Sequence, residues 1–239
     1  MKYEILWDEP QRVDGVTLYR IRALRDIPWH DVKAGDCGGW VAGEHNLSQD
    51  GDAWITDNAV VCGRAHVSGR AIIHGNAHVF GEAHVFGSAA IYGHARVSGR
   101  TAVFGHAHVF GNAWVAGNAR VTDYVVVYGN AQVFGHAQVF GDARVFGNAR
   151  VFGNARVYAP ITGKAHVYGR VEVSGDMAVS NTWQIMRDDE MSFSDWLAAL
   201  DNAAQCADVP VDVGDAALFD LYESGYAPVP SLIAAQFNP

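Results

Sequence analysis

A chain of 239 residues is long enough for one elongated domain with small additions, and it has no apolar run of bilayer length. Its net charge of −9 is unevenly placed: residues 1–180 balance sixteen acidic against sixteen basic groups, whereas residues 181–239 carry ten acidic groups and one basic group, Arg187. Cys37, Cys62 and Cys206 have neither metal-site nor evident disulfide spacing. With no secretory-signal pattern, the expectation is a cytoplasmic protein without a membrane anchor.

In chain order, Tyr3–Trp7 reads as a strand. Asp14-Gly15 is a hairpin-turn signal, and Val16–Leu24 is the second strand. The expectation is a β-hairpin cap over residues 1–38, covering the open end of a repeat region.

From Gly51 to Tyr158 the chain repeats Gly-x-Ala-x-Val-aromatic in one register, as in Gly75-Asn76-Ala77-His78-Val79-Phe80. Ala-x-Val alternates as an extended strand does. The Gly and the residue after it, often Asn, Asp or His, tolerate φ > 0 and predict a tight corner. Asp57 and Asp123 stand where Gly would. Strand and corner alternating at this length predict a solenoid whose coils bury their inner faces only by stacking.

These hexads resemble those of left-handed parallel β-helix proteins, in which three hexads form a triangular coil. The resemblance covers about residues 39–180. It implies an all-β solenoid with Ala77, Ala83, Ala89 and Ala95 pointing inward beside Val79, Val85, Ile91 and Val97. About seven coils at the ~4.8 Å strand spacing would make a prism on the order of 30–35 Å long. A second stretch comprises Asp31-Val32-Lys33-Ala34-Gly35, Gly38-Gly39-Trp40-Val41, Asn46-Leu47-Ser48-Gln49-Asp50-Gly51 and Trp54. It resembles the opening of a subfamily of bacterial and prophage-encoded hexapeptide-repeat proteins, often labelled transferases. That resemblance implies a phage or prophage origin, and hence a bacterial host's cytoplasm, but assigns no catalytic residue.

If Ala and Val point in, the residue between them and the aromatic after them point out. Stacking by coils sorts the aromatics onto three faces. The first carries His74, Tyr92, Phe110, Tyr128 and Phe146, the second Phe80, Ser98, Ala116, Phe134 and Phe152, and the third Phe86, Phe104, Thr122, Phe140 and Tyr158. One reading is a self-contained ladder of rings. The other is a homo-oligomer interface, for which the first face is the candidate through Ile72, Tyr92, Phe110, Val126 and Tyr128. A corner column of Asn58, Asn76, His94, Asn112, Asn130 and Asn148 explains itself by left-handed tolerance and side-chain hydrogen bonds.

After Tyr158, Ala159-Pro160-Ile161-Thr162 supplies four residues where six are due, which predicts a kink or a re-phasing of the shaft. Residues 181–239 are expected to form an acidic helical module. Ser192 or Ser194 would cap a helix with Trp196, Leu197 and Leu200, a second helix would stop at Gly225, and a third would cover Ser231–Phe237. The module is either a polar cover for the last coil or a dock for a basic partner, with Asp188, Asp189, Glu190, Asp195 and Asp201 as the docking candidates. The lack of basic residues after Arg187 argues against direct DNA binding.

The β-helix resemblance also implies enzyme possibilities, because many such proteins are acetyl-CoA-dependent acyltransferases and others are three-His carbonic anhydrases. Acyltransferases of this kind usually throw out loops between coils, and Gly51–Tyr158 contains no insertion. The catalytic candidates are His66 and His84, eighteen residues apart, with His78 one hexad earlier. They would need a third ligand from a neighbouring subunit to hold a metal. No phosphate-binding or dinucleotide-binding glycine pattern exists, and no cofactor is expected. Arg120, Arg144, Arg150 and Arg156 form a basic collar suited to a phosphate or to the acidic C-terminal segment. The leading expectation is a non-catalytic phage- or prophage-type binding protein, homo-oligomeric through an aromatic face, engaging a host protein, a defence component being one candidate, through the β-helix faces or the acidic C-terminal helices. The alternative is a CoA-dependent acyltransferase with a site between subunits.

Overall fold

Each hexad has room for only a two-residue strand, since the glycine and its neighbour make the corner and alanine anchors the next side. The computed structural model, which describes residues 1–13, 15–174 and 179–180, shows this stride throughout the shaft. The strands Trp54–Ile55, Val60–Val61 and His66–Val67 begin three faces, and each later hexad adds a strand to the next face in turn. Strands on one face are parallel and eighteen residues apart: Ala90 lies between Ile72 and His108, and Arg96 between His78 and Trp114. Backbone N–H groups donate to the next coil, as from His78 to Ala95 and from Phe80 to Val97, both at 2.9 Å. The protein is therefore a parallel β-solenoid of about seven coils.

Its core is one continuous column of alanine and valine. Ala77, Val79, Ala83, Val85, Ala107 and Val109 are fully buried, and the column merges with the cap through Ile55, Trp54, Ile21 and Tyr3. Each buried valine contributes roughly 1.5 kcal/mol, so stability accumulates coil by coil.

The corners refine one expectation. The glycine has the left-handed φ, +73° at Gly99, where an added Cβ would lie 2.5 Å from the carbonyl oxygen of Gly117. Among the described residues the positive-φ non-glycines are Asp31, Asp57 and Asp123, so the asparagines after the glycines do not use their left-handed tolerance. Asp57 and Asp123 do, at φ of 55° and 59°. Each carboxylate accepts the N–H of the glycine in the next coil, Gly75 and Gly141, at 2.9 Å. The asparagine column is held by side chains instead: Asn112 donates to Asn130, and Asn130 to Asn148, at 3.2 Å each.

The missing two residues re-phase the shaft. Val145 pairs with Ile161, Arg150 with His166 and Val157 with Val173, sixteen apart, and the eighteen-residue spacing returns at Ile161 and Val179. The lost residues come from the corner above Gly141, where an added Cβ would meet nothing within 4 Å.

At the other end, strands β1 (Tyr3–Val13) and β2 (Val16–Ala23) form the expected antiparallel hairpin. Its first strand runs past Trp7, and Val13 faces Val16 across the turn, whose Asp14 is outside the described residues. Strand β3 (Cys37–Val41) pairs antiparallel with β2 and parallel with Val60–Val61, so the hairpin continues the second face. The expected helices of residues 181–239, and with them Asp188, Asp189, Glu190, Asp195 and Asp201, lie outside the described residues.

Candidate functional site

A coil spacing near 4.8 Å matches the stacking distance of aromatic rings, so a column of rings in one hexad position must stack. On the first face it does so without a break. His74 to Tyr92, Tyr92 to Phe110, Phe110 to Tyr128 and Tyr128 to Phe146 have centroid separations of 4.8, 4.7, 5.1 and 4.9 Å, with planes within 13° of parallel. The ring faces are spent on one another, in the column next to Ile72, Ala90, His108 and Val126, and Tyr92 meets the His108 ring edge-on at 6.2 Å. Ile72, Tyr92, Phe110, Val126 and Tyr128 are thus brought onto one strip, each half-buried. Burial raises the Tyr92 hydroxyl above the usual phenol range. The base of the stack, His74, is held below the usual imidazole value by burial, opposed by the Asp57 carboxylate 4.0 Å away.

The other faces carry shorter stacks. On the third, Phe86 meets Phe104 at 4.8 Å and Phe140 meets Tyr158 at 5.1 Å, with Thr122 between the pairs. On the second, Phe134, Phe152 and Tyr168 stack at 4.9 and 5.1 Å. Tyr168 escapes an eighteen-residue count from Phe152, which lands on Arg170; the two-residue slip places the tyrosine in the column. Lower on this face, the Arg96 guanidinium lies over Phe80 and Trp114, and the Trp114 indole N–H donates to Ser98 at 3.2 Å.

His66 and His84 are neighbours on the third face, with ring centroids 6.4 Å apart. His66 Nδ1 lies 2.7 Å from the His45 carbonyl oxygen, and His45 Nε2 lies 2.6 Å from that of Gly63. A carbonyl only accepts, so Nδ1 of His66 donates, and in the neutral ring the lone pair is on Nε2. His78 lies on the second face, away from this pair. Among the described residues, no group of three or more His, Cys, Asp or Glu is close enough to hold a metal. Of the basic collar, Arg144, Arg150 and Arg156 belong to one coil, one on each face, and Arg120 precedes Arg156 by two coils on the third. Charge elsewhere also obeys the stacking: Glu82 bridges Arg64 at 3.2 Å and Arg100 at 2.9 Å, one coil to either side.

Fold and surface together define a parallel β-solenoid with ring-laddered sides. Within it, residues 137–151 match the family described as the YdcK β-solenoid repeat, a segment that spans the Ala-Gln-Val-Phe-Gly-Asp-Ala-Arg-Val-Phe hexads. No curated protein matches the chain. Among the described residues, no helix is long and apolar enough to cross a membrane.

Proposed function

We propose that the protein is a non-catalytic binding protein of phage or prophage type, whose rigid sides, together with the acidic residues 181–239, engage a host protein. The observation that carries this reading is the loop-free shaft. Between Gly51 and Tyr158 every corner is a two-residue turn led by Gly or Asp, with no inserted residue, and the glycines other than Gly141 stack on the corner of the next coil. Such a surface offers long, regular columns of side chains to another macromolecule and does not enclose a small substrate. The first-face ring column, flanked by Ile72 and Val126, is its self-association surface in this reading. The test is the mass and composition of the protein purified from its bacterial host, by light scattering and mass spectrometry, for the native chain and for Phe110→Asp. A stoichiometric host protein on an oligomer of the native chain, with the oligomer lost in the variant, supports the reading. A bare monomer in both overturns it.

One observation favours the acyltransferase alternative. The Nδ1 contact with the His45 carbonyl leaves His66 in the tautomer whose Nε2 can take a proton, the state a general base requires. Saturable binding of CoA that disappears in His66→Ala, with the oligomer intact, would move the assignment to that class.

A further inference from the structure

Ring stacking by itself leaves these side chains half-exposed, and the second face breaks that rule. Tyr128, with a ring on both sides, is still half-buried, and Tyr158, the last ring of the third face, is 43% exposed. Tyr168 is likewise the last described ring of its column, yet it is 0% exposed; below it Phe152 is at 1% and Phe134 at 8%. His166, in the neighbouring column, is buried too, and burial with the Arg150 charge pushes its imidazole down to about 4. In the same patch the side-chain oxygen of Gln132 is sealed from solvent with no hydrogen-bond partner among the described residues.

We propose that this patch is the docking site for the acidic C-terminal segment of the same chain, residues 181–239. The hairpin cap joins the opposite end of this sheet, beyond Val60–Val61. The last described strands are Glu172–Val173 on the third face and Val179–Ser180 on the first. Each earlier coil goes on from the first face, where Ser180 lies, to the second, so the patch is within reach of a chain continuing from Ser180. Their charge also fits: ten carboxylates and one arginine meet a face that carries Arg150, with Lys164 and Arg170 at the corners beside it. Carboxylates over a guanidinium and apolar side chains over three rings would bury the patch as observed. The segment then leaves the first-face ladder open and occupies the second. This inference does not depend on the identity of any partner.

The full chain tests it without substitution. Tetranitromethane nitration, read at each tyrosine by peptide mass spectrometry, should modify Tyr124 and Tyr158 at least about ten-fold faster than Tyr168, since a covered ring reacts only through local opening. A water-soluble carbodiimide applied to dilute protein should then join Lys164 to a carboxylate of residues 181–239 within a chain of unchanged mass. Nitration of Tyr168 at the rate of Tyr158 would overturn the proposal. So would Lys164 coupled to no carboxylate of that segment, or coupled only in a product of twice the chain mass, which would make a second copy the cover.

Discussion

The shaft and the cap solve one problem in opposite ways. Inside the shaft, each coil finds its hydrogen-bond partners in the backbone of the next, and side chains need only fill or stack. At the first coil there is no preceding backbone, and particular side chains take its place. Asn46, fully buried, accepts the N–H groups of Ala42 and Gly43 at 3.0 Å each and donates to the carbonyls of Gly63 and Ala65 at 3.2 and 2.8 Å. Gln49 accepts from the N–H of Lys2 and returns a bond to the carbonyl of Tyr3, as a strand would. The Tyr3 hydroxyl donates to Leu47 O at 2.7 Å and the Lys2 ammonium to Ala53 O at 2.7 Å. A repeat is thus tolerant of sequence wherever its neighbours are copies of itself, and intolerant where the series begins.

The largest expected effect is in the shaft. Val109→Asp puts a carboxylate into a column with no partner for it and should cost more than about 4 kcal/mol, read as loss of cooperative thermal unfolding. Next comes the cap. Asn46→Ala leaves the Gly43 N–H and the Ala65 carbonyl without their partner, while the Ala42 N–H keeps Val61 O and the Gly63 carbonyl keeps His45, and should cost about 2–4 kcal/mol in urea unfolding, although it removes little apolar area. An equal loss from Asn130→Ala, a corner residue, would erase the distinction drawn between the two regions. Phe110→Ala opens the middle of the five-ring stack and should cost about 1–3 kcal/mol, more than Phe86→Ala at the end of a two-ring stack.

The most gradual effects are pH slopes at the two ends. Burial lowers the Lys2 ammonium to about 8, ahead of the repulsion from Arg25. His166 is lowered to about 4. Both are bases with folded values below their ordinary ones, so the unfolded chain binds more protons within each window. Stability should therefore fall as pH drops from 6.5 towards 4, and should rise as pH climbs from about 8 to 10.5. Each slope is at most about 1.4 kcal/mol per pH unit. His166→Phe should reduce the slope in the first window, where His74 still contributes, and leave the second, as measured by urea midpoints across pH.

The parallel solenoid is legible in the sequence, because Ala-x-Val at a six-residue stride permits only one way to bury both residues. The columns His74 to Phe146 and Ile72 to Arg144 come from counting by eighteen. The same count misplaces Tyr168, since nothing in Ala159-Pro160-Ile161-Thr162 says which corner loses two residues. The asparagine ladder was expected from both left-handed backbone and side-chain bonding; only the second is used, because the glycine before each asparagine already makes the turn.

What the amino-acid sequence determined by itself is the periodic part: coil length, inward and outward sides, and which rings share a column. These depend on local backbone preference and on spacing, and both are written in one dimension. Tertiary structure alone decided how the series is closed and where it is covered. Asn46 and Gln49 act as surrogate strands, His66 is tied to the His45 carbonyl, and Phe152 and Tyr168 are sealed on one face while Tyr158 is open on another. Each of these depends on a partner distant in the chain or unique in it, and a repeating pattern carries no information about contacts that occur once.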